Sequence, residues 1–275
     1  MNSIEDINFG RKLIVPLRKK IKITNYNPDQ TFELEKNEQV KKTLDENVKE
    51  LIRLQQVLYA ENKSALLIVL QGMDTSGKDG TIKHVMSGMN PLGCQVTSFK
   101  APTDEELDHD FLWRIHKNIP PKGNVGIFNR SHYEDVLAVR VLNLVPQNIW
   151  KARYEQINNF EQSLFENNVQ ILKFFLHISK EEQKERLIER LKDPTKNWKF
   201  SAADLEARKQ WDEYMRAYED VLNKCNTKCA PWFIIPANNK WFRNLAISQI
   251  VIEKLKNLKM KLPKSSLDLS KIKVE

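Results

Sequence analysis

An unbroken apolar run, Ala-Leu-Leu-Ile-Val-Leu at 65–70, leads through Gln71 into Gly-Met-Asp-Thr-Ser-Gly-Lys-Asp-Gly at 72–80. Six consecutive apolar residues suit a strand covered on both faces. The G-x-x-x-x-G-K spacing after such a strand is a phosphate loop leading into a helix. Successive backbone N–H groups and the helix N-terminus hold phosphate oxygens, and Lys78 supplies a mobile positive charge. Gly72, Thr75, Ser76, Gly77 and Gly80 are expected to line the anion, with glycine allowing the tight bend. Two positions depart from the common form. Asp79 stands where a Mg²⁺-binding Ser or Thr is usual, and Asp74 adds a carboxylate inside the loop. Asp74 either ties the loop to its own backbone or reaches a metal or an acceptor phosphate. Asp79 either contacts the ligand or serves the helix dipole.

Beyond the loop, short apolar runs alternate with helical periodicity. Strands are predicted at 65–70, 95–99, 125–128, 170–178 and 232–235. Helices are predicted at 36–62, 78–89, 103–118, after Ser131, 146–167, 180–191, 201–225 and 240–258. The pattern gives an α/β fold: a three-layer α/β/α sandwich with a five-stranded parallel sheet, P-loop kinase-like, its ligands above the strand carboxyl ends. Residues 1–35 read as an irregular segment broken by Pro16 and Pro28. Residues 36–258 read as the catalytic domain, with a helical lid at about 180–208, and 259–275 as a basic tail.

A second constellation, Phe-Asn-Arg-Ser-His-Tyr-Glu-Asp at 128–135, ends the third predicted strand. Asn129 and Arg130 are placed to face the ligand, Arg130 as a phosphate fork. Glu134 is either ligand-facing or the acid of a Ser131-x-x-Glu134 capping box. Asp135 is either a metal ligand with Asp74 or a first-turn acid. His132 reads as a packed or hydrogen-bonded group. The third element supplies cations: Arg186 and Arg190 on one helix face, Lys196 and Lys199 in the loop after it, and Arg208 beyond. Such a helix pair suits a lid closing over phosphates. Arg114 is placed to reach the same crevice, whereas Trp211, Tyr214, Tyr218 and Leu222 read as core.

The net charge of +8 invites a polyanion, yet it is concentrated at the ends. Residues 11–22 carry six basic and no acidic side chains, and 254–275 carry seven basic and two acidic ones. The remainder is therefore slightly acidic. Neither a stacking-aromatic array nor a nucleic-acid motif is visible, so a nucleic-acid partner is not expected. No run of about 18 apolar residues argues for a membrane span. Three cysteines fit a reducing cytoplasm.

These blocks resemble the polyphosphate kinase 2 family. The resemblance runs from about residue 31 to 258 and is carried by GMDTSGKDG (72–80), SFKAPT (98–103), DFLWRIH (110–116), IFNRSHYEDVL (127–137), ILKFFLHISKEEQKERLIERL (171–191), DPTKNWKFSAADL (193–205) and APWFIIPANNKWFRN (230–244). It implies a fold related to thymidylate kinases and Mg²⁺-dependent phosphoryl transfer between inorganic polyphosphate and a nucleotide. It places the family's loop residues on Asp74 and Lys78, its strand-end pair on Asn129 and Arg130, and its lid cations on Arg186, Arg190, Lys196 and Lys199. The form at 129–135 resembles the subgroup accepting AMP and ADP, giving ADP and ATP. A homo-oligomer, dimer or tetramer, is implied as well. The competing expectations are an ATP-dependent nucleoside monophosphate kinase and a non-catalytic polyanion-binding protein.

Overall fold

Seven buried residues, Ala65–Gln71, form β1 at the centre of the sheet. In the computed structural model, which describes residues 4–265 together with Ile272 and Val274, the order is β2-β3-β1-β4-β5. The other strands are β2 (Cys94–Ser98), β3 (Val125–Asn129), β4 (Val169–His177) and β5 (Trp232–Pro236). Every pairing is parallel. Parallel strands need crossovers and bury both faces, which explains why β1 reads as a continuous apolar run and why β4 is buried nearly throughout. Of the expected tail, residues 266–271, 273 and 275 lie outside the described residues.

The chain before the sheet is more ordered than its sequence suggests. Helix α1 (Phe9–Leu13) is capped by Asn8, and Ile14 bridges Phe233 in antiparallel fashion. Val15 N donates to Trp232 O (2.9 Å). Phe9 and Phe32 both pack against Phe242. This segment covers the open edge of β5, which would otherwise expose unpaired backbone groups. Two prolines signalled breaks, but the tertiary partner of the apolar residues between them is not a local feature.

Helix α2 (Glu38–Glu61) starts at Asn37 and ends at left-handed Asn62. Helix α3 (Lys78–Val85) follows the phosphate loop and stops earlier than the expected 89. The predicted helix at 103–118 is two short ones, α4 (Asp104–Leu107) and α5 (Trp113–His116). Thr103 and Glu106 do form the capping box. Asp110 then breaks the helix, because its side chain and carbonyl take the N–H groups of Leu112 and Trp113. After Ser131 comes a 3₁₀ turn, His132–Asp135, before α6 (Ala138–Val141) and the long α7 (Gln147–Glu166). The predicted 201–225 helix is divided at Gln210 into α9 (Ala202–Lys209) and α10 (Trp211–Lys224), with α8 (Lys180–Lys192) before them. Helix α11 (Lys240–Asn257) closes the fold, packing against α1, α2 and α3.

Candidate active site

The phosphate loop leaves β1 through Gly72, bends at Thr75 with φ 64° and enters α3 at Gly77 with φ 102°. A Cβ on Gly77 would lie 1.8 Å from Nη1 of Arg243, so two features exclude a side chain there: positive φ and Arg243. Arg243 comes from α11, is buried, and donates to Ser76 O (3.4 Å) and Asn244 Oδ1 (2.9 Å). Burial, with Arg186 beside it, brings its guanidinium down to about 10. Three buried hydroxyls here, Thr75 Oγ1, Ser76 Oγ and Thr81 Oγ1, have no partner among the described residues. Buried polar groups are ordinarily paired, so three unpaired hydroxyls around one loop are unusual.

Lys78 is also buried, and its ammonium donates to Gly72 O (2.7 Å) and Met73 O (3.3 Å). Burial holds its pKa below the usual lysine value, and Arg130 adds to that against Asp74, Glu134 and Asp79. Arg130, itself at positive φ, reaches across from β3 and donates to Asp74 Oδ1 (2.7 Å). The nearby Glu134 raises the guanidinium above its ordinary value. Asp74, Lys78, Arg130 and Glu134 therefore form one charged cluster above the β1 and β3 carboxyl ends.

Glu134 is not the capping acid that its spacing allows. Ser131 Oγ accepts from Tyr133 N; Gln71, with its amide oriented so that its oxygen accepts from Ser131, donates its nitrogen to Glu134 Oε1 (3.1 Å). Gln71 thus turns Glu134 toward the cluster. Asp135 goes the other way: it pairs with Arg153 (2.9 Å), away from the Arg130–Asp74 contact. Burial outweighs Arg153 and pushes its carboxyl up to about 6. The structure therefore does not join Asp135 to Asp74 as the sequence expectation had it. Among the described residues no three His, Cys, Asp or Glu side chains form a metal cluster.

The expected cations divide into two groups. Arg186 is buried as a clamp: Nη1 donates to Thr75 O (2.9 Å) and Nη2 to Ala237 O and Asn238 O (both 2.7 Å). Arg208 similarly bonds Lys180 O and Gln183 Oε1, and Gln183 in turn donates to Asp74 O (3.3 Å). These two hold the loop in shape. Arg114 holds the segment before α4 through Lys100 O (2.9 Å) and Glu106. Lys199 instead points across to the loop, pairing with Asp79 Oδ2 (3.0 Å), whose other oxygen accepts from Asn129 Nδ2 (2.9 Å). Burial works to raise the Asp79 carboxyl, but Lys199 and Asn129 bring it below its usual value. Arg190 pairs with Asp204 (3.0 Å), and Lys196 with Asp193 at the exposed turn.

Several contributors escaped the sequence reading. Tyr214 and Tyr218, assigned to packing, border the charged cluster; burial pushes Tyr214 up to about 12, with Glu134 and Asp74 adding to it. Tyr218 does pack, its ring centroid 4.6 Å from that of Phe175. Arg243 carried one signal, a cation just before the largely apolar stretch from Leu245 to Ile252. His132 is hydrogen-bonded as expected, to Glu161 (3.1 Å).

The model of the polyphosphate kinase 2 family matches residues 33–263. This chain belongs to that family. Among relatives of this polyphosphate kinase 2 member is the AMP/ADP-polyphosphate phosphotransferase of Meiothermus ruber, 48% identical over 93% of this chain and 96% of its own. The ADP-polyphosphate phosphotransferase of Rhodopseudomonas palustris is 47% identical over 84% of each chain. The crystal structure of polyphosphate kinase 2 from Arthrobacter aurescens superimposes with a TM-score of 0.92, at 42% identity, covering 96% of this chain and 94% of that one. No helix among the described residues is long and apolar enough to cross a membrane.

Proposed function

We propose that this enzyme moves the terminal phosphoryl group of inorganic polyphosphate to AMP, giving ADP, and to ADP, giving ATP. The observation that carries the reading is the Asp74–Arg130 contact at the mouth of the phosphate loop, in a chain 48% identical to a relative named for both acceptors. An acceptor phosphate oxygen forms the new P–O bond. The bridging P–O bond of the polyphosphate end breaks, and the shortened chain leaves with that bond's electrons. The loop amides and Lys78 hold one reacting phosphate group. Lys78 exchanges its bonds to Gly72 O and Met73 O for phosphate oxygens. Arg130 offsets charge on the transferring group, and Lys199 closes on the loop with Arg190 and Lys196 behind it. Catalysis of this kind is mostly positioning and charge compensation.

Mg²⁺ fits this donor set, because it takes one or two carboxylates and fills its shell with phosphate oxygens and water. Asp74 and Glu134 are the residues that would hold it. When bound, it would neutralise charge on the reacting phosphates. Three free cysteines support a cytoplasmic location, two of them buried, with Cys225 pushed by burial up to about 12. A dimer or tetramer rests on family likeness and is checked by light scattering.

The test is purified protein with Mg²⁺ and polyphosphate, supplied with AMP or ADP, and nucleotide products separated by chromatography. ADP and ATP should form, and Lys78→Ala should abolish both while the circular dichroism spectrum stays unchanged. Product formation from AMP with ATP as sole donor, and none with polyphosphate, would replace this reading by the monophosphate kinase one.

A further inference from the structure

The loop at 16–20, Pro-Leu-Arg-Lys-Lys, takes no part in the site above. It is held by Asn223, in the last turn of α10, and by Asn226 just beyond that helix. Asn226 Nδ2 donates to Val15 O (2.9 Å), and Asn223 both accepts from Ile21 N (2.8 Å) and donates to Ile21 O (3.0 Å). Val15 N is fixed to Trp232 O, and Arg18 sits at positive φ 61°. Between these anchors Arg18, Lys19 and Lys20 are exposed, and no carboxylate pairs with them among the described residues. The nearby acids are engaged elsewhere. Glu219 accepts from Ile23 N, and Asp220 pairs with Arg140 and Lys224. The three cations line a cavity of about 250 Å³ together with Pro16, Leu222, Asn223 and Asn226.

The position of this loop selects its ligand. It is anchored at Trp232, the first residue of β5, whereas phosphate chemistry lies beyond the carboxyl ends of the strands. At about 3.3 Å per residue, the length of β5 alone separates the two by roughly 13 Å. The phosphates of a nucleotide held at the phosphate loop do not span that distance, and its neutral base gives three cations nothing to pair with. A linear polyanion long enough to pass over the segment that covers β5 reaches both. Unpaired cations on a fixed backbone give such a chain charge without sequence or base recognition. We infer that residues 18–20 form a second, distal contact for long polyphosphate chains, keeping the polymer on the enzyme while its end reacts. The inference rests on the polyphosphate-dependent reading above.

The experiment compares wild type with the triple variant Arg18→Gln/Lys19→Gln/Lys20→Gln, using tripolyphosphate and long-chain polyphosphate as donors at low salt. Three exposed lysines elsewhere, Lys49→Gln/Lys122→Gln/Lys151→Gln, control for net charge. The triple variant should raise KM for the long chain about fivefold to tenfold, with kcat, nucleotide KM and the tripolyphosphate parameters unchanged. Raising salt should remove the wild type's advantage with long chains. An unchanged long-chain KM overturns the inference, as does an equal rise for both donors or the same rise in the Lys49/Lys122/Lys151 control. RNA that displaces long polyphosphate from wild type but not from the triple variant, without any KM effect, would reassign the loop to nucleic acid. Absence of turnover by wild type with either donor would instead sink the proposed function.

Discussion

Lys173 lies in the middle of β4 with no exposed surface, and its ammonium makes three bonds: to Glu161 Oε2 (2.6 Å), Cys225 O (2.7 Å) and Tyr133 Oη (2.8 Å). Glu161, equally buried, also accepts from Tyr133 Oη (2.8 Å) and meets His132 Nε2 (3.1 Å). This network fixes the 3₁₀ turn that begins two residues after Arg130. Lys173→Met removes the cation and keeps much of its volume. Breaking one side of a buried pair typically costs about 3–5 kcal/mol, because the remaining charge is stranded. At about 2.1 cal/mol/K of unfolding entropy per residue, that is a fall in melting temperature of roughly 5–9 °C. The loss should depend on pH. In wild type, burial works to raise the Glu161 carboxyl, but Lys173 and His132 outweigh it and hold it low. Without Lys173, burial prevails and the folded-state pKa rises above the unfolded value. A raised carboxyl contributes stability below its unfolded pKa and loses it as pH rises. The variant's deficit should therefore be large at pH 8 and shrink toward pH 5. Urea unfolding across that range measures it. A deficit under about 1 kcal/mol, or one independent of pH, would refute the stranded-charge argument. Adding Glu161→Leu to Lys173→Met should recover much of the loss.

Gly77→Ala should destabilise the fold and reduce turnover strongly, since its Cβ would strike Arg243 at a backbone angle alanine resists; thermal melting and kcat together check this. Asp79→Asn should weaken the Lys199 latch and let water compete, so phosphate release without acceptor should rise severalfold relative to nucleotide phosphorylation. Asp135→Asn should remove a titration between pH 3.8 and about 6. Because that carboxyl is raised in the folded state, wild type should lose stability relative to the variant as pH climbs through this window, by at most about 3 kcal/mol. Asp74→Asn should lower kcat and shift the Mg²⁺ concentration giving half-maximal rate, whereas a wild-type magnesium titration would remove Asp74 from metal binding.

The sequence by itself determined the sheet and the loop. A continuous apolar run before G-x-x-x-x-G-K admits few alternatives, since both strand faces must be covered and the bend needs glycine. It also named Asp74, Lys78, Arg130, Asn129 and Lys199, because strand ends and loop positions project toward the crevice. Tertiary structure decided how the charges are used. Spacing placed Glu134 and Asp135 side by side, but Gln71 draws one toward Arg130 while Arg153 draws the other away. Arg186 and Lys199 looked alike as lid cations, yet one grips backbone carbonyls and the other faces Asp79. Local pattern fixes where a side chain starts; the partner that satisfies a buried charge comes from a distant element, and burial makes that partner obligatory.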